Sequence, residues 1–530
     1  MFKKVFIAAG LATVLVWVVS AQSDLKAVVD KSMKAMGVQD VKTLTLTGEG
    51  GDGSVGQPFS PFSDRWRWTA SKNWTHSVDF DAKAWRDVRD RAEGEPANQC
   101  GGAGTQCPAN SQMGAVAVTT ANSFNNQISF AMLPLGFLKM ALEKNATVSK
   151  EKKFTVLSFP MENGTAYKTT VKGYIDDKGF VDRVETMIDQ GMLGDIKWEA
   201  KFTDYKDFGG VKVPTSIVQR QGGPKIWEMT VANVMVNQPV DTTPPAGRGG
   251  RGGPGGAKGG AAKGGDGKGA PPEFAGGDGK GKGGPGGAPG GPGAAKGGGR
   301  GAPAAIESED LGGGFWLVTG GYGAVVANFK DYIVVIEGPS NDMRADQIIS
   351  EAKRLVPGKP IKYVINTHAH FDHAGGLRDF VAQGATIITN KGNKGYYEKI
   401  LANPHTLVPD NMQKMNPKPK IKVEYVDDMK KITDGTQEID LYRVMNSTHN
   451  QFMMMAYLPK QKVLIEADEF NVLNPIPTAP VPMPNQYQVN LLANIERLHL
   501  DVDRIIPIHL PNPGTRKVPL SELKLAAGKS

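Results

Sequence analysis

Apolar positions recur at helical spacing through Leu25-Lys-Ala-Val-Val-Asp-Lys-Ser-Met-Lys-Ala-Met36, and Gly37 stops the pattern, which predicts one amphipathic helix. Beyond it the apolar residues alternate or form β-branched runs. Val41 to Thr47, Phe154 to Ser158, Tyr167 to Tyr174, Val181 to Ile188 and Ile196 to Phe202 read as strands. Val211 to Val218 and Ile226 to Val236 follow the turn pairs Gly209-Gly210 and Gly222-Gly223 and extend the series. One helix followed by a strand meander predicts a mostly antiparallel, curved sheet. Trp66, Trp68, Trp74, Phe80 and Trp85 fit sheet packing, or the lining of an apolar cavity for a ligand or partner. The histidine of this region, His76, fits a surface or packing role better than a catalytic one.

A different pattern begins near Ile306. Short strands at Phe315 to Val318, Ala324 to Phe329 and Tyr332 to Ile336 precede a predicted helix over Met343 to Leu355. The apolar strand Ile361 to Asn366 is followed by a helix at Gly376 to Ala382 and a strand at Thr386 to Thr389. Alternating strands and helices predict an α/β layered domain, in which chemistry collects at the carboxyl ends of strands.

Composition adds what lies between and before these regions. Much of the glycine falls in one Gly/Ala/Pro/Lys-rich stretch, Pro244 to Ala305, which offers too little apolar surface to offset chain entropy and reads as a disordered, flexible linker. That stretch holds nine basic and three acidic side chains, and with Lys3 and Lys4 it accounts for the formal net charge of +8. The foldable parts are near neutral, so no specific nucleic-acid partner is expected. Lys3 and Lys4, the apolar run Val5 to Val19 and the small residues around Ala21 have the form of a cleaved secretory leader. The expected layout is therefore a leader at 1–21, a β-rich domain at 22–243, a linker at 244–305 and an α/β domain at 306–530. Cleavage after Ala21 would leave a periplasmic or secreted chain with no transmembrane helix. In that oxidising setting Cys100 and Cys107 would close a small loop disulfide.

The chemistry centres on His368-Ala-His-Phe-Asp-His373, placed directly after a buried strand. His368 and His370 can face one cation from a tight turn, while Asp372 and His373 turn towards a second. Further ligand types stand where other apolar strands stop: His449 after Ile439 to Val444, Asp468 ending Val463-Leu-Ile-Glu-Ala-Asp468, and His509 ending Arg504-Ile-Ile-Pro-Ile-His509. His405 reads as a loop residue and His499 as surface or packing. The Pro-rich segment Asn471 to Tyr487 is placed to roof the cleft or to pack as a surface loop.

Thr367-His-Ala-His-Phe-Asp-His-Ala-Gly-Gly376, with His449, Asp468 and His509 in order, resembles the metallo-β-lactamase superfamily. The resemblance implies an αβ/βα sandwich and a dinuclear centre holding two zinc ions, with iron and manganese left open. It implies that His368, His370 and His449 hold the first metal, that Asp372, His373 and His509 hold the second, and that Asp468 bridges them. The activity implied is attack by metal-bound hydroxide on an ester, lactone or amide-type bond of a small molecule, with Asp372 as a catalytic proton shuttle. Glu337 stands where the family keeps a supporting acid behind the ligands. The flanks depart from the family in Thr448-His449-Asn450 and Ile508-His509-Leu510, and no lysine follows Asp468 to grip a substrate carboxylate. Iron-dependent sulfur oxidation and a non-catalytic, metal-stabilised binding role are the alternatives. The first domain, over Phe202 to Pro214 and Val231 to Asn237, resembles periplasmic lipoprotein-carrier half-barrels.

Overall fold

The computed structural model describes residues 24–63, 66–90, 115–164, 167–243 and 305–530. The expected leader, the Cys100 and Cys107 loop and, apart from Ala305, the expected linker lie outside these residues. Among the described residues no helix is long and apolar enough to cross a membrane.

The first helix spans 24–36, burying Leu25, Val29 and Met36 as its period requires. The Ser32 hydroxyl donates to the carbonyl of Gly179 at 2.6 Å and fixes this helix to a turn of the sheet. The described strands of this domain form one eleven-stranded antiparallel sheet. From Phe154–Asn163 to Lys225–Val236 each strand pairs with the next, and the last strand then pairs with the first, Thr43–Ser54. The sequence pattern missed the strands Arg67–Asp79 and Ala84–Arg89 and the helices Phe124–Ala131 and Pro134–Glu143. Pro134 lies in the first turn of its helix, where the missing N–H costs nothing, so it starts the helix instead of breaking it. Phe137 from that helix stacks on Phe159, with ring centroids 5.8 Å apart. Trp66, Trp74, Phe80 and Trp85 are buried in the same core, and Trp74 meets Trp227 edge-on at 5.0 Å. His76 is buried too, its Nδ1 2.8 Å from Asp87 Oδ1, so its role is packing.

The second region is built from a seven-stranded and a six-stranded mixed sheet. Phe315, Leu317, Val325 and Ala327 of the first meet Ile439, Leu441, Ala456 and Leu464 of the second in one apolar layer. Helices Asp342–Leu355 and Leu377–Ala382 cover the outer face of the first sheet, and Gln486–Arg497 and Leu520–Ala526 pack on the second. The parallel strands are nearly all apolar because both of their faces are covered.

The two regions meet along a seam. One apolar cluster runs from the first domain, through residues such as Leu193 and Trp198, into Phe380, Tyr397 and Leu401 of the second. Asp195 accepts from the Thr406 amide at 2.7 Å and from the Leu407 amide at 3.2 Å, while its own amide donates to the Pro404 carbonyl at 2.8 Å. A Cβ on Gly194 would stand 2.5 Å from that carbonyl oxygen, so the approach needs glycine. His405 does lie in a loop, yet it is buried here, and burial holds its imidazole down to about 4.

Acidic groups crowd behind this seam. Burial, with Asp342, Asp346 and Asp410 nearby, pushes the Asp379 carboxyl up to about 8. The folded chain therefore holds a proton that the unfolded chain releases near pH 4, and stability falls as pH rises between those two values. Asp379→Asn is expected to raise the thermal midpoint at pH 9, stabilising by on the order of 2 kcal/mol, and to leave pH 4 almost unchanged. Equal midpoint changes at the two pH values would count against this account.

Candidate metal centre

Each ligand type stands just beyond a strand, where backbone pairing ends and side chains from several strands converge. His368 and His370 follow Ile361–Ile365, and Asp372 and His373 lie in the short helix Phe371–Ala374. His449 follows Glu438–Arg443, Asp468 follows Val463–Glu466 and His509 follows Arg504–Pro507. All are buried except His509, which is one-quarter exposed.

These side chains form two donor groups. His368, His370, His449 and Asp468 make one, and Asp372, His373, Asp468 and His509 the other, the atoms of each lying within 4.8 Å of one another. Asp468 belongs to both. Its Oδ2 is 2.9 Å from His373 Nε2, 3.1 Å from His449 Nε2 and 3.3 Å from His368 Nε2, and its Oδ1 is 2.7 Å from His509 Nε2. Asp468 holds this position with a left-handed backbone, φ 64°, and Glu337 likewise has φ 77°, a strain that side-chain-bearing residues keep only where the surroundings enforce it.

The outward ring atoms set which nitrogen faces inward. Glu337 Oε2 lies 2.8 Å from His373 Nδ1, and Glu337 Oε1 also accepts from the Thr367 amide at 2.7 Å. Thr367 Oγ1 is 3.1 Å from His368 Nδ1. The Pro58 carbonyl is 3.1 Å from His370 Nε2, which leaves Nδ1 of that ring to face the group.

The electrostatics suit cations. Burial holds the His368 and His449 imidazoles down to about 4 and His370 well below its ordinary value, so all three present lone pairs. Burial also opposes the charged forms of His373 and Asp468. The carboxylates of Asp468 and Asp372 nevertheless carry His373 well above its usual range, and His509, His373 and His449 hold Asp468 well below its own. The His370 Nδ1 and His449 Nε2 atoms are 2.9 Å apart, and His373 Nε2 is 3.2 Å from His509 Nε2. Such convergence of ring nitrogens around shared carboxylate oxygens fits a pair of metal ions, and a nitrogen-rich donor set with a few carboxylates is one that zinc accepts.

Several neighbours of the centre carry no sequence motif. Tyr322 packs edge-on against His509 at 4.8 Å, and burial, with the Asp372 and Asp468 carboxylates nearby, raises its phenol. Tyr487 meets the His449 ring edge-on at 5.4 Å, so the end of the expected roof does reach the site, whereas residues 474–476 and 478–480 are exposed. The first domain reaches it as well. Gly56 O accepts from the Phe371 amide at 2.8 Å, Phe59 O from the Gln451 amide at 2.9 Å, and Pro58 O from Asn450 Nδ2 at 3.0 Å. Asn450, one of the unusual flanking residues, is thus one of the residues that meet this strap. Main-chain groups make most of these contacts, across more than 300 residues of sequence, which is why no local pattern announces them.

Residues 330–509 match the model of the metallo-beta-lactamase superfamily. No curated protein matches the chain. Among solved structures, the chain is similar to a metallo-beta-lactamase from Pontibacter korlensis, with 17% identity, TM-score 0.33, and coverage of 42% of this chain and 97% of that one. It is also similar to a metallo-beta-lactamase from Hirschia baltica, at 19% identity and TM-score 0.31, covering 42% of this chain and 96% of the other. The half-barrel resemblance of the first domain gains no support from these comparisons.

Proposed function

With residues 330–509 forming a metallo-β-lactamase superfamily domain, we propose that the chain is a dinuclear zinc hydrolase acting on ester, lactone or amide-type bonds of a small molecule, in the periplasm or outside the cell. The observation that carries this reading is the pair of buried donor groups sharing Asp468. His368, His370 and His449 would hold one ion, and Asp372, His373 and His509 the other. A bound pair of zinc ions supplies Lewis-acid activation of water and of the scissile carbonyl.

The chain's own residues do the rest. Glu337 and Thr367 hold the rings of His373 and His368 with their Nε2 atoms inward. Asp372, whose Oδ2 lies 3.7 Å from His373 Nε2 and 3.5 Å from His509 Nε2, would pass a proton from the attacking water to the leaving group. The burial of the ligands and of Phe470 keeps bulk water from the inner side of the centre.

The test is metal analysis of the purified protein beside a panel of ester, lactone, amide, β-lactam and phosphodiester substrates. Zinc in both positions with turnover of a carbonyl substrate, lost in Asp372→Asn while metal is retained, is the expected result. A single iron with oxygen uptake would overturn the reading in favour of sulfur oxidation, and metal without any turnover would leave a binding protein.

A further inference from the structure

The strap that crosses from the first domain to the metal centre leads into the strand Arg67–Asp79, whose first side chain ends beside the same centre. Arg67 is buried, at 7% exposure, although its charge would ordinarily keep it in water. Its Nη2 donates to the Tyr487 hydroxyl at 2.8 Å, and Tyr487 lies edge-on to His449. Among the described residues no carboxylate pairs with Arg67, and its buried Nε–H has no hydrogen-bond partner. Other buried arginines of the chain are satisfied: Arg89 pairs with Asp52, Arg378 with Asp410, and Arg344 is capped by backbone carbonyls. A buried guanidinium left without an anion is costly, and the deficit here lies beside the metal ligands.

We propose that Arg67 is the anion anchor of this active site, so that the substrate carries a carboxylate or phosphate group close to the bond that is cleaved. The inference rests on the hydrolase reading and narrows its substrate class. Guanidinium offers a planar fork that either oxyanion can occupy with paired hydrogen bonds, and Tyr487 fixes the plane of that fork. The strap makes the anchor possible: Gly56, Pro58 and Phe59 bond to Phe371, His370, Asn450 and Gln451, and so set the depth at which Arg67 enters. Gly56 has φ 76°, and a Cβ there would stand 2.9 Å from that of Phe371, so strap and ligand loop approach as closely as glycine allows.

Calorimetric titration of acetate and of inorganic phosphate into the zinc-loaded full chain tests the proposal without relying on turnover. Arg67→Met should weaken binding of the preferred anion by about 10- to 100-fold at unchanged metal content and at a thermal midpoint no lower than that of the wild type. Arg67→Lys should recover part of the loss, and Tyr487→Phe should produce a smaller loss with the charge retained. Whichever anion shows the Arg67-dependent affinity identifies the group. Equal affinities in wild type and Arg67→Met, for both anions, would overturn the anchor even if the protein proves to be a hydrolase. An Arg67-dependent affinity in a protein that cleaves no substrate would uphold the anchor and fail the hydrolase reading alone. With a cleaved substrate in hand, Arg67→Met should raise KM for its anionic form and leave that for a neutral ester analogue unchanged.

Discussion

Asp468→Ala should strip metal from both positions of the centre and lower turnover by on the order of a thousand-fold or more. Its two oxygens are the atoms around which His368, His373, His449 and His509 gather, so one substitution removes a donor from each group. His509→Ala provides the contrast. That ring belongs only to the group with Asp372 and His373, so its loss should deplete one position and spare the other. Asp468→Asn keeps the shape and removes the charge that offsets the raised His373, and should resemble the alanine variant more than wild type. Metal analysis after dialysis against a weak chelator, read beside initial rates, separates these outcomes. An Asp468→Ala protein that retained metal in both positions would show that the donor groups are independent and that no shared carboxylate holds them.

Arg378→Ala should cost about 3–5 kcal/mol of folding stability, the penalty for leaving a buried carboxylate without its partner. Arg378 is 2% exposed and bonds Asp410 through both Nε and Nη2, while Nη1 reaches the carbonyls of Leu401 and Asn403. Asp410 in turn caps the helix Asn411–Lys414. The loop so held carries Pro404, Thr406 and Leu407 to Asp195, so its release should also loosen the seam. Arg378→Lys should not restore stability, because one ammonium cannot meet both a carboxylate and two carbonyls. Urea unfolding at neutral pH reads the loss directly, and a change below 1 kcal/mol would be incompatible with this role.

The residues of the two donor groups were legible in sequence because the fold gathers them at strand ends, and a His or Asp at the end of an apolar run is a local pattern. Glu337 could be picked out for the same reason, at the end of Ile333–Ile336. The later strands of the first domain were legible from alternation and glycine turns. The strand Arg67–Asp79 was not, since Arg67, Ser71 and His76 are buried polar residues that blur its period. Helix Pro134–Glu143 begins with residues that usually punctuate a chain. Arg67, Pro58 and Tyr487 could not be read as neighbours of the centre at all. Their proximity is set by how two separately patterned regions dock, and one of the contacts is a carbonyl oxygen that any residue would supply.

The unbroken apolar cluster across the seam makes the unit of cooperativity larger than either region that the chain pattern defines. Heat should melt both in a single calorimetric transition, since separating them exposes apolar surface on each. The covalent path through residues 244–304 then acts as an entropic aid to docking, raising the local concentration of one half around the other. A proteolytic nick within it would leave two polypeptides that stay associated until they unfold, with Arg67 still delivered to a centre on a different chain.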